Sequence, residues 1–258
     1  MVNISSGLAV CVPRNTFLLS CQKPVRKNMK YEIIGDNQQM AKIDLQTGEG
    51  IFAEAGSMVN MSGNMVMEAQ LKGGIIAGLK RAVTGESLFL TRFTSRDGAG
   101  FVSFAGTMTG KIVPVSIAPG KDMIAQKSSF LCCEEAVNLD IAFTKKIRAG
   151  FFGGEGFILQ RMTGTGTVFL HCCGDIIEIS LKEGEVVKVQ TGLVVGFEDT
   201  VKYDIALAGG ITTALFGGEG LFVTTLTGPG KVILQSMDIA KIAATIIPFL
   251  PVPERNRK

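Results

Sequence analysis

The chain has 258 residues and a mass of 27.4 kDa, with 46 % hydrophobic and 19 % charged residues and a mean hydropathy of +0.32. That length suits one large all-β domain or two ordinary ones, the apolar content excludes disorder for the bulk, and no apolar run reaches the roughly 18 residues of a helical membrane span. The formal charge is +3, but Arg14, Lys23, Arg26 and Lys27 all precede Met29 in a stretch without Asp or Glu, so the body from Met29 onward carries +3 less 4, or −1. A near-neutral body lacks the clustered cations that phosphate neutralisation needs, which excludes nucleic acid as the expected partner.

Residues 1–28 form a basic, acid-free leader, predicted to be disordered. Organelle-targeting presequences share this composition, and an upstream start codon in place of Met29 is the other reading. The expected compartment is therefore the cytoplasm, or the mitochondrion if the leader is a presequence.

From Met29 the chain repeats itself. Ile43-Asp44-Leu45-Gln46-Thr47-Gly48-Glu49 recurs as Val115-Ser116-Ile117-Ala118-Pro119-Gly120-Lys121 and as Ile179-Ser180-Leu181-Lys182-Glu183-Gly184-Glu185. Each is an alternating strand that runs into a glycine turn. A second marker keeps the same phase: Gly85-Glu86-Ser87-Leu88, Gly154-Glu155-Gly156-Phe157 and Gly218-Glu219-Gly220-Leu221. Two markers at matching intervals divide the body, 29–248, into three repeats of about 36–106, 107–173 and 174–237. Short strands between glycine corners predict antiparallel sheets packed face to face in one compact body with pseudo-threefold symmetry, because one unit alone leaves an apolar face uncovered. The pairs Gly73-Gly74, Gly153-Gly154, Gly209-Gly210 and Gly217-Gly218 read as structural punctuation.

Helix is predicted only over Asp238 to Ile247, with Asp238 as N-cap and Pro248 as the stop. Ile239, Ile242 and Ile246 fall on one stripe, expected to pack on a sheet. Docking on a membrane or a partner is the alternative. Residues 249–258 form a C-terminal tail.

Candidate chemistry is sparse. Cys132-Cys133, His171 and Cys172-Cys173 invite a metal, but adjacent strand residues face opposite ways, so at most three ligands converge and buried thiols are the preferred reading. No metal or cofactor is expected. His171 lacks a neighbouring nucleophile and an orienting carboxylate, so no catalytic residue is assigned. Glu86, Glu155 and Glu219 occupy equivalent turns. As a ring they would gather a cation or another ligand; as separate turn residues they would bond exposed N–H groups, the favoured reading. Met58, Met61, Met65 and Met67 read as core filling, with a soft contact surface as the alternative.

The three-unit pattern resembles the altered-inheritance-of-mitochondria (mitochondrial biogenesis) protein family. The resemblance rests on Gly73-Gly74 leading through Leu79-Lys80-Arg81 to Gly85-Glu86-Ser87, on the Phe152-Gly153-Gly154-Glu155-Gly156 and Phe216-Gly217-Gly218-Glu219-Gly220 turns, and on the closing Leu226-Thr227-Gly228-Pro229-Gly230-Lys231. It spans about Met29 to Pro248. It implies a fold like that of the tryptophan RNA-binding attenuation protein, a short double-stranded β-helix repeated within one chain. It supplies no catalytic residue, and likeness to an RNA-binding ring does not confer RNA binding.

The expectation is a non-enzymatic all-β scaffold or interaction module that forms a homo-oligomer or holds a protein partner. A binding module for a small ligand or a lipid headgroup, with peripheral membrane contact, is the alternative.

Overall fold

The computed structural model describes residues 29–71, 89–145, 157–207 and 222–250. Strand β1 (Lys30–Ile34) leads into a first series of six: β2 (Met40–Leu45), β3 (Gly50–Glu54), β4 (Met58–Met61), β5 (Met65–Leu71), β6 (Phe89–Ser95) and β7 (Gly100–Ala105). A second series follows: β8 (Gly110–Ile117), β9 (Met123–Gln126), β10 (Phe130–Glu134), β11 (Val137–Lys145), β12 (Phe157–Gly164) and β13 (Gly166–Cys173). The third comprises β14 (Ile176–Leu181), β15 (Val186–Gln190), β16 (Val194–Glu198), β17 (Lys202–Leu207), β18 (Phe222–Thr227) and β19 (Gly230–Gln235), before helix α1 (Ile239–Ile246) and a 3-10 turn, Ile247–Phe249.

One pairing scheme serves all three series. The first and third strands flank the sixth, and the second and fourth flank the fifth, all antiparallel. The third strand breaks register at the same place each time, between Met58 and Asn60, Phe130 and Cys132, and Val194 and Gly196. The marker glycines sit at φ +80° (Gly48), +76° (Gly120) and +75° (Gly184), a region that costs other residues strain.

Each series thus folds as two facing three-stranded sheets. In β2 the alternation buries Ala41, Ile43 and Leu45 against Phe93 and Phe104. Successive series then merge their sheets. β3 pairs with β10 (Ala53 with Cys132, Phe52 with Cys133, Ile51 with Glu134), and β9 pairs with β16 (Ala125 with Gly196, Ile124 with Phe197, Met123 with Glu198). The result is two six-stranded sheets, β5-β6-β3-β10-β13-β8 and β11-β12-β9-β16-β19-β14, together with a four-stranded sheet β1-β2-β7-β4 and a three-stranded sheet β15-β18-β17.

Three cores lie between successive sheets. The first joins the four-stranded sheet to the first six-stranded one, the second joins the two six-stranded sheets, and the third joins the last of these to the three-stranded sheet. Both faces of a six-stranded sheet are therefore buried: in β13, Phe169 belongs to the first core, and Val168 and Leu170 to the second. Such strands read as continuous apolar runs rather than alternations.

A single polar contact locks each series. At the end of the third strand a side-chain oxygen accepts the amide that opens the sixth: Ser62 Oγ from Phe101 N–H at 3.0 Å, Glu134 Oε1 from Thr167 N–H at 2.9 Å, and Glu198 Oε2 from Lys231 N–H at 2.9 Å. The preceding glycine leaves room for the residue that supplies the oxygen, since a Cβ there would crowd Ser62, Glu134 or Glu198. A Cβ on Gly230, whose φ is +143°, would lie 2.6 Å from Thr200 Oγ1.

Helix α1 corrects one expectation. Asp238 does cap it, accepting Ala240 N–H at 2.9 Å, but no residue of the helix is buried, so the isoleucine stripe does not pack on a sheet. The α-helix itself ends at Ile246, short of Pro248, which lies in the 3-10 turn.

Replacing Gly230 by Ala is expected to lower stability by about 1–3 kcal/mol, through both the clash and the unfavourable φ. A urea melt measures it, and Gly63→Ala, at a glycine with open space around it, serves as the unaffected control.

Candidate functional site

The repeated glutamates Glu86, Glu155 and Glu219 lie outside the described residues, as do the four Gly-Gly pairs. Other acids fill the turn-bonding role nearby. Glu49 accepts Gln46 N–H at 2.8 Å and Glu185 accepts Lys182 N–H at 2.9 Å, each closing its own marker turn. In the second series Lys121 occupies that place.

Lys121 lines an open cleft of about 380 Å³ with Ser116, Asp122, Glu198, Asp199 and Thr200. Two of its three acids are already engaged by the protein: Glu198 holds Lys231 N–H, and Asp199 holds Arg161 Nη1 at 2.6 Å. Arg161 and Asp199 also frame Tyr203, whose hydroxyl burial pushes above its usual range, while its ring packs edge-on against Phe143. This cluster braces the β9–β16 joint.

The cysteine pairs are held apart. Cys132 enters the first core and Cys133 the second, as alternation requires. They stand across from Phe169 and Val168, whereas Cys172 and Cys173 lie farther along β13, opposite Lys111 and Gly110. Four residues of strand separate Phe169 from Cys173, about 13 Å. Burial raises the Cys132 thiol well above its ordinary value and pushes Cys172 up to about 12, so these thiols stay protonated.

His171 clips two segments together. It is 7 % exposed, and a Cβ on Gly106 would lie 2.3–2.4 Å from its ring. Burial lowers its pKa from 6.5, and a hydrogen bond with the Met108 backbone opposes that shift without cancelling it. The neutral ring is wedged against the Gly106 backbone and packs there.

Part of what the fold leaves uncovered is apolar. Asp238 anchors α1 firmly: its carboxylate also takes the Gln190 side-chain N–H and sits over Gly192, and Met237 N–H reaches Cys173 O at 3.1 Å. Beyond that anchor Ile246, Ile247, Phe249 and Leu250 are exposed, Phe249 by 84 %. Val59 on β4 and Val186 on β15 are each more than half exposed. Of the methionine group, Met65 is buried, Met58 and Met61 are half-buried against the first core, and Met67 is exposed. Among the described residues, no helix is long and apolar enough to cross a membrane.

Comparison with known proteins supplies a lineage. A family model described as mitochondrial biogenesis AIM24 matches residues 31–237. An uncharacterised protein of Streptococcus pyogenes serotype M6 is 29 % identical over 238 residues, which cover 89 % of this chain and 94 % of the relative. The crystal structure of a Streptococcus pyogenes protein superposes with a TM-score of 0.72 at 27 % identity, covering 86 % of this chain and all of that one.

The lowered His171 pKa fixes the sign of a pH effect. The folded state binds this proton less readily than the unfolded chain, so stability is full above about pH 6.5 and falls as the pH drops below it toward the folded value. Urea melts between pH 5 and 8 should show that slope, and His171→Gln should flatten it. The raised thiols act at the other end: stability should fall as the pH rises from 9 toward 12, where unfolded cysteines ionise and the folded Cys172 does not.

Proposed function

The chain belongs to the mitochondrial biogenesis AIM24 family, and on that premise we propose that it works as a non-catalytic scaffold or interaction module. One observation carries this reading. The acids that close the marker turns, the strand ends and the helix start are bonded within the fold, whereas strand residues such as Val59 and Val186 and an apolar terminal segment face solvent. Val59 stands 53 % exposed, although the residues at its place in the other two series, Leu131 and Val195, are 2 % and 0 % exposed. Apolar side chains set in well-ordered strands and left uncovered are features of a surface that meets another macromolecule.

A second reading draws on a different feature. The segment Ile239–Leu250 holds no acid and one cation, Lys241, and presents exposed Ile246, Ile247, Phe249 and Leu250 on a helix whose start is pinned by Asp238. Such a segment suits peripheral contact with a lipid surface, apolar residues entering the headgroup boundary.

Two measurements separate the readings. Light scattering on the purified protein is expected to give a mass that is a multiple of 27.4 kDa; a monodisperse monomer at high concentration speaks against a homo-oligomeric scaffold. Flotation with liposomes, lost on deleting residues 239–250, would instead favour the lipid reading.

A further inference from the structure

We propose that β4 of one copy pairs with β15 of another, forming between molecules the same joint that links successive series within the chain. The proposal deepens the scaffold reading and rests on it. Within the chain, the second strand of one series always pairs with the third strand of the next: β3 with β10, then β9 with β16. Two strands are left over by this rule. The third series has a second strand, β15, without a successor to receive it, and the first series has a third strand, β4, without a predecessor to cover it. Among the described residues both are sheet edges.

Burial marks the difference. β10 and β16 are buried along four of their five residues, whereas none of the four residues of β4 is buried. β9 is buried throughout, whereas β15 buries Val189 alone.

The chain's own β15 does not cover its own β4. The sheets that carry them are the outermost of four layers, separated by both six-stranded sheets, and none of the three cores contains residues of both. The occupant that fits is therefore a second copy, which brings the complementary strand in the complementary place. Because every copy offers one edge of each kind, the contact is head to tail, and it closes into a ring or runs on as a filament.

The internal joints also fix the register. Placing β4 in the position of β10, and β15 in that of β3, sets Asn60 opposite Val189, Met61 opposite Lys188, and Ser62 opposite Val187. One substitution tunes the joint. Phe52 and Ile124, buried at 8 % and 2 %, face the core of the next series, and Lys188 holds their place in β15. An ammonium there keeps its stem on apolar surface and its charge in water, so this joint is weaker than the internal two. A reversible association results.

The test mixes two single variants, Met61→Cys and Lys188→Cys, one of them tagged, under mild oxidation. A disulfide between two different chains can form only across a joint between molecules. The expected result is a reducible mixed dimer, with none when Lys202→Cys, on the far edge of the three-stranded sheet, replaces Lys188→Cys. In parallel, Lys188→Ile should lower the concentration for half-assembly roughly tenfold, as an apolar side chain replaces a charge at a buried position. No mixed dimer from a protein that light scattering shows to be multimeric overturns this joint and spares the scaffold reading. No mixed dimer from a strict monomer overturns both. Equal cross-linking through Lys202→Cys, or a Lys188→Ile variant that assembles no better than the parent, overturns the register.

Discussion

The constraint on which this fold depends is that neither six-stranded sheet belongs to a single series. β3 and β10, and then β9 and β16, share ladders across the boundaries between series, so each core has at least one wall that continues into a neighbour. That sharing buries both faces of the six-stranded sheets and removes four strand edges that would otherwise be exposed. It also explains why β10, near the middle of the chain, is apolar and buried along Phe130, Leu131, Cys132 and Cys133, whereas β2 alternates.

Polar chemistry in the described residues follows from the same geometry. Where a third strand ends and a sixth begins, an amide would be left without a partner, and Ser62, Glu134 and Glu198 each supply the oxygen. Marker turns are closed by Glu49 and Glu185, the joint at Asp199 by Arg161, and the helix start by Asp238. Burial disfavours the charged forms of the Cys132 and Cys172 thiols and of the His171 imidazole alike.

Much of this was legible in the sequence, for physical reasons that can be stated residue by residue. Gly48, Gly120 and Gly184 were readable as corners because a left-handed φ leaves few alternatives to glycine. The alternation of β2 and the cap at Asp238 were equally plain. The triple contact at the end of the third strand was hidden, because a serine and two glutamates do not look alike, although all three oxygens do one task. The open joint was hidden too. Met58-Val59-Asn60-Met61 is nearly as apolar as its buried counterparts, and composition reports what a strand is made of, not whether a neighbour covers it. The same holds for α1: a stripe of isoleucines at helical spacing states that an apolar face exists and is silent about what lies opposite.

Shared ladders also govern how the polypeptide can be made. Ile43 finds its partner Val102 only after four further strands have emerged, and Ile51 waits for Glu134 in the following series. During synthesis the leading third would therefore leave the ribosome with β3 lacking a neighbour on one side. Closing such distant pairings is slow, and an unpaired strand invites aggregation until its mate arrives. The architecture that makes the finished body continuous thus ties its birth to the whole chain, and a fragment ending before β10 would be born without the strand that completes its sheet.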